Sequence, residues 1–88
     1  MRITFDPAKD ALNRQKHGVS LGEAAEFEWA TAVIWPDIRR DYGEMRMIGI
    51  GYIGQRLYVV AFVERDDSYR LISLRKANLR EVKRYAES

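Results

Sequence analysis

Apolar and polar positions follow two different periods along this chain, and the change of period divides it. "ITF" (residues 3–5) reads as a short strand. "DPAKDALNRQKHG" (6–18) carries helix signals: Asp6 as N-cap, Pro7 at the first helical position and Gly18 as the stop. Lys16 and His17 fall in the last turn, where positive charge suits the negative end of the helix dipole. "VSLGEAAEFEW" (19–29) predicts a second helix at once, because Ser20 and Glu23 have capping-box spacing and Val19 can staple against Ala24. Two helices joined this tightly form an angled pair.

From Ala32 the period becomes two. "AVIWP" (32–36) predicts a strand ended by Pro36, and "DIRRDYGE" (37–44) a polar connection with a turn at Tyr42 and Gly43. "MRMIGIGYI" (45–53) and "RLYVVAFVER" (56–65) are strands separated by Gly54 and Gln55 alone, and glycine in the first loop position suits a type II′ hairpin. That loop sets the register: Ile48 faces Ala61, Ile50 faces Val59 and Tyr52 faces Leu57, an apolar set on one side. Extended outward, it places Arg46 opposite Val63 and Glu44 opposite Arg65, an acid and a base closing one end of the hairpin.

The other side presents Met45, Met47, Tyr58, Val60, Phe62 and Glu64, with Gly49 and Gly51 across from them, and is expected to be the more open. Glycines inside a strand mark a bulge or a close backbone approach. "DDS" (66–68) reverses the chain into the strand "YRLISLR" (69–75). Arg75, two residues after Ser73, is expected on the more open side, an expectation that depends on the length of that turn. "NLREVKRYAE" (78–87) closes the chain as a helix with Asn78 and Glu81 in a second capping box and Leu79, Val82 and Ala86 as its apolar stripe. The fold class is α+β in the order β-α-α-β-β-β-β-α: a small twisted antiparallel sheet with an N-terminal helical pair and a C-terminal helix, in one domain spanning 1–88.

Composition narrows the chemistry. The chain has 88 residues, 47% of them apolar, and no cysteine, which rules out disulfides and thiolate zinc sites. With one histidine and no tight cluster of acids, no metal is expected. No nucleophile elbow, phosphate-binding glycine loop or H-E-x-x-H pattern is present, so no cofactor is expected either. No apolar run nears the about 18 residues of a membrane span, and the first residues do not look like a signal peptide. The default expectation is a soluble cytoplasmic protein with no membrane partner.

Charge adds a direction. Residues 1–44 carry a net −2 and residues 45–88 a net +4; from Tyr69 to Tyr85, Arg70, Arg75, Lys76, Arg80, Lys83 and Arg84 face Glu81 alone. Such a field attracts phosphates or an acidic partner, although basic helix faces are often only solvated. One reaction suits scattered cations, a histidine, tyrosines and few acids: cleavage of RNA by its own 2′-hydroxyl. The substrate supplies the nucleophile, and the protein needs a base, an acid and cations for the phosphorane. Arginine forks bind phosphate oxygens in two places, and aromatic rings hold unstacked bases. His17 is the natural proton-transfer group by pKa, against the plainer role of a helix-end cap. Tyr85 is a candidate on the basic helix, against the plainer role of core edge. Arg65 and Arg75 each close an apolar strand. Phe27, Trp29, Trp35 and Phe62 are assigned to the core.

"KHGVS", "EAAEF", "DYGEMRMIGIG", "YVVAFVER" and "RLISLRKANLREVKRY", in this order and at this spacing, resemble the BrnT family of bacterial toxins over nearly the whole chain. The resemblance implies a small RelE-like ribonuclease toxin of a type II toxin–antitoxin system. Its mRNA cleavage would be metal-independent and would arrest growth. A BrnA-type ribbon-helix-helix antitoxin would neutralise it, and the pair would repress its operon, with operator DNA touched only through the antitoxin. The family shares the positions here held by Lys16, His17, Gly18, Glu44, Arg46, Arg65, Arg75, Lys76 and Tyr85. RelE-like toxins serve the scissile phosphate with strand arginines and a C-terminal tyrosine. The implied catalytic set is therefore Arg65 and Arg75 on the phosphate, His17 or Tyr85 moving protons, and Glu44 orienting Arg65. Lys16, Arg46, Lys76, Arg80 and Lys83 would bind RNA. Two positions depart from the family: "ITFD" stands where "FEWD" is usual, a change of packing, and Leu74 stands where a small residue is usual, which would narrow the groove. The alternative is a non-catalytic basic module that binds a partner or nucleic acid, or a decayed toxin.

Overall fold

The computed structural model describes residues 2–88. Strand β1 (Arg2–Thr4) leads into helix α1 (Pro7–His17), and two 3₁₀ helices follow at Leu21–Glu26 and Trp29–Thr31. Then come β2 (Val33–Pro36), β3 (Met47–Ile53), β4 (Arg56–Arg65), β5 (Ser68–Lys76) and helix α2 (Leu79–Ala86). Among the described residues no helix is long and apolar enough to cross a membrane. The caps of α1 form as the sequence indicates. Asp6 Oδ1 accepts from Ala8 N at 2.9 Å, and Gly18, at φ 72°, donates to the Arg14 carbonyl.

The segment after α1 departs from expectation. Its capping box is present, yet the helix is 3₁₀ rather than α. Leu21, Ala24 and Phe27 recur every three residues and all are buried. Only the three-residue turn of a 3₁₀ helix stacks that spacing on one face.

The sheet has the order β1-β5-β4-β3-β2. Its hairpins are antiparallel, and β3 pairs with β4 in the expected register, Ile48 with Ala61, Ile50 with Val59 and Tyr52 with Leu57. The loop carries a positive φ at Gly54 and not at Gln55, as a type II′ turn requires. β1, however, runs parallel to β5, so the sheet is mixed rather than wholly antiparallel. No hairpin joins those two strands, and nothing local sets their relative direction.

β4 and β5 turn at Asp66 and Asp67, with Arg65 opposite Ser68. The register then slips: Phe62 faces Leu71, but Ala61 faces Ser73, leaving Ile72 as the extra residue of a bulge. Strict alternation would put Leu71 and Leu74 on opposite faces, whereas both are fully buried in one cluster. The bulge reconciles them and sends Arg75 to the face of Val59 and Ile50. That is the opposite side from the one expected, because a one-residue slip reverses every side chain beyond it.

The two faces also exchange roles relative to expectation. The Val60, Phe62, Leu71 and Leu74 face holds the main core, closed by Val19, Leu21, Ala24 and Phe27. Gly51 lies against the Phe27 ring, where a Cβ would come within 2.6 Å. The Ile50, Leu57 and Val59 face is covered in part, by Ala77, Val82 and Tyr85. Helix α1 lies along the edge of β5. There the buried Asn13 amide accepts from Leu74 N at 3.1 Å and donates to Leu74 O at 2.8 Å, as a neighbouring strand would, and it also donates to Val19 O.

Candidate active site on the half-covered face

A groove of about 390 Å³ opens on the face that α2 leaves uncovered. Ile48 and Val59 line it together with Trp35 from β2. Glu81 and Arg84, three residues apart on one side of α2, join them, as do Asp37 and Arg39 of the connection after β2 and Arg75 from β5. The Asn78–Glu81 capping box holds the start of α2 in place.

Arg75 donates from both terminal nitrogens to the two Glu81 oxygens, each at 2.8 Å, and Glu81 Oε1 also accepts from Asn78 N at 2.9 Å. These bonds raise the Arg75 pKa further and hold the Glu81 carboxyl below its ordinary value. Arg39 binds Asp37 through Nε at 2.8 Å and a terminal nitrogen at 2.9 Å. Asp37 accepts as well from the Tyr42 hydroxyl, and the Arg39 bonds push its pKa well down. The positive charge of Arg39 reaches Arg75 and opposes it slightly. The Arg84 guanidinium carbon lies over the Trp35 indole, 3.7 Å from its centroid. Among the described residues it has no carboxylate at ion-pair distance. The groove thus joins three guanidinium groups and an indole with two carboxylates, a lining suited to a phosphate beside a flat base.

The residues singled out in the sequence are not all here. Arg65 and Arg75 do not meet. Arg65 stands six residues from Val59, the partner of Arg75, which is about 20 Å along the strand. Glu44 does engage Arg65, at 2.8 and 3.0 Å, but as an exposed ion pair away from the groove. Tyr85 packs edge-on against Tyr52, with ring centroids 5.5 Å apart, and its hydroxyl donates to the Thr31 carbonyl at 3.4 Å, so it belongs to the apolar contact under α2. Lys16 and His17 line a separate cleft between α1 and β5. The His17 pKa is lowered, first by burial and then by the charges of Lys16 and Arg75. Arg46 lies 4.0 Å from the Tyr42 ring centroid, its Nε shielded and unpartnered. Lys76, Arg80 and Lys83 are exposed.

Trp35, Asp37, Arg39, Glu81 and Arg84 line the groove but are not among the candidate residues the sequence singles out. From the sequence Trp35 reads as core with the other aromatics, and Arg39 stands in a polar connection. The i, i+3 spacing of Glu81 and Arg84 was the one legible signal. Leu74 does not narrow the groove, since it is buried on the opposite face. Phe5 of "ITFD" is partly buried and packs against the main core.

Among the described residues no group of three potential metal ligands occurs. A family model described as "Ribonuclease toxin, BrnT, of type II toxin-antitoxin system" matches residues 5–81. The fold is similar to the crystal structure of the ribonuclease toxin BrnT from Brucella abortus, with a TM-score of 0.71 and 27% identity, covering 89% of this chain and 97% of that one. No curated protein matches the chain in sequence. The match over most of the chain and the similarity of fold carry one conclusion: this chain belongs to the BrnT family of ribonuclease toxins of type II toxin–antitoxin systems.

Proposed function

We propose that this chain is one toxin domain, residues 1–88, that cleaves mRNA without a metal and thereby arrests growth. The observation that carries this reading is the gathering of Arg39, Arg75 and Arg84 with Trp35 in a single groove. A scissile phosphate takes the place of the Glu81 carboxylate on the Arg75 fork, and Arg84 and Arg39 add charge for the phosphorane. Trp35 stacks a neighbouring base. Glu81, released from Arg75, accepts the 2′-hydroxyl proton as that oxygen attacks phosphorus, and the 5′-oxygen takes a proton from solvent water as its bond to phosphorus breaks. The products are a 2′,3′-cyclic phosphate and a 5′-hydroxyl. In this reading Arg65, Glu44 and Tyr85 take structural roles and His17 flanks the site.

Membership of a type II family implies an antitoxin partner. We take it to be of the BrnA ribbon-helix-helix type, covering the groove and carrying the toxin to operator DNA. The RelE-like assignment is part of the same proposal. The test is incubation of purified protein with RNA, with and without EDTA. Cleavage that survives the chelator and leaves cyclic phosphate ends supports the enzyme. The closed pairs Arg75–Glu81 and Arg39–Asp37 favour a second reading, a decayed toxin or binding module. RNA binding without products decides for that one.

A further inference from the structure

The cleft between α1 and β5 is a second cationic feature that the groove does not use. It measures about 160 Å³ and is lined by Lys9, Lys16, His17, Asn13 and Ser73, with Leu12 and Ile72 as its apolar part. That is well under the roughly 300 Å³ at which small-molecule pockets begin, so the space suits a phosphate rather than a nucleoside. No carboxylate lines it. The acids of α1 are occupied elsewhere: Asp6 caps Ala8 N, and Asp10 accepts from Ser20 Oγ and Leu21 N and pairs with Arg14. Among the described residues neither Lys9 nor Lys16 has an ion-pair partner. The Asn13 amide is consumed by Leu74 and Val19. What remains for a ligand is two ammonium groups, an imidazole and a hydroxyl.

The position of the cleft matters as much as its charge. Ser73 faces Ala61 and Arg75 faces Val59, so both project from the half-covered face, two residues and about 7 Å apart. The bulge at Ile72 puts them there. A strand of nucleic acid leaving the groove over Arg75 enters the cleft without crossing the sheet. We propose that the α1–β5 cleft binds an RNA phosphate adjacent to the scissile one, with Lys9 and Lys16 as its contacts, so that single-stranded RNA runs across the half-covered face from Trp35 to α1. This rests on the groove being the RNA site.

The experiment is titration of a single-stranded oligoribonucleotide, 2′-O-methylated to block cleavage, at several salt concentrations. The parent protein is compared with Lys9→Ala/Lys16→Ala and with Arg75→Ala, each checked for folding by circular dichroism. Each lost single-strand contact lowers the slope of log K against log salt by about 0.7. The expected result for the lysine double variant, which loses the one cleft phosphate, is a slope lower by about 0.7 and weaker binding of the long strand. Its affinity for a methylated dinucleotide, which has a single phosphate and cannot span groove and cleft together, falls by less than its affinity for the long strand. A parental slope in the lysine variant, with binding still weakened in Arg75→Ala, overturns the cleft and leaves the groove standing. An oligonucleotide that the parent does not bind overturns both.

Discussion

Along β4, Val60 and Phe62 enter a dry core, while Val59, one residue away, lines a groove with three arginines. The same strands serve both faces; the covering segments differ. Chain segments before β2 supply Val19, Leu21, Ala24 and Phe27 to the first face, and their contacts leave no room even for a methyl group at Gly51. The second face receives mainly one helix, α2, which packs half-buried Val82 and Tyr85 against it and turns Glu81 and Arg84 to the opening. Stability is concentrated on the closed face and charge on the half-covered one, so substitutions should separate into two classes.

Arg75→Ala tests that separation most severely. It should lower RNA cleavage by roughly 10²–10³-fold, the usual cost of removing one preorganised charge donor. The melting temperature should move by no more than about 8 °C. Activity at the parental level would remove Arg75 from the site. Asn13→Ala should do the reverse. It leaves the Leu74 and Val19 backbone groups unpaired beside a buried position, a loss of about 2–4 kcal/mol in urea unfolding. Gly51→Ala forces the buried Phe27 ring to shift and should cost about 1–3 kcal/mol, again with the groove chemistry intact in the folded fraction.

Acid offers a gentler probe. Glu81 and Asp37 both have lowered carboxyl pKa values, Glu81 through Arg75 and Asp37 through Arg39. Their contribution to stability is present above the ordinary carboxylate values of 4.5 and 3.8 and is lost as pH falls through the lowered ones. The half-covered face should therefore loosen before the core. In protein labelled with 5-fluorotryptophan, the ¹⁹F resonance of Trp35 should shift on acidification at a higher pH than that of Trp29. Simultaneous shifts would contradict the separation. The smallest effect belongs to Arg65→Ala, which removes an exposed pair far from the groove. It should leave both cleavage and melting temperature at parental values, and a large loss of cleavage would return Arg65 to the catalytic set.

Much of the fold was legible because its signals are local. Asp6, Pro7 and Gly18 bound α1, Asn78 and Glu81 start α2, and Gly54–Gln55 sets the β3–β4 register far enough to pair Glu44 with Arg65. The site was less legible. Arg75 is a candidate from the sequence that emerges on the face opposite to the one expected, because the bulge answers to two leucines three positions apart in a strand. Trp35 and Arg84 meet across 49 residues of chain, a contact that no spacing announces.

The sequence by itself determined the two α-helices and their caps, the strands, one hairpin register and the excess of positive charge in the second half. Each of these follows from hydrogen bonds and torsions among residues a few positions apart. The tertiary structure alone decided the direction of β1, the three-residue turn at Leu21–Glu26, the Asn13 edge and the face on which Arg75 emerges. These choices minimise buried voids and unpaired backbone groups across the whole assembly, and that condition does not exist until distant segments have packed together.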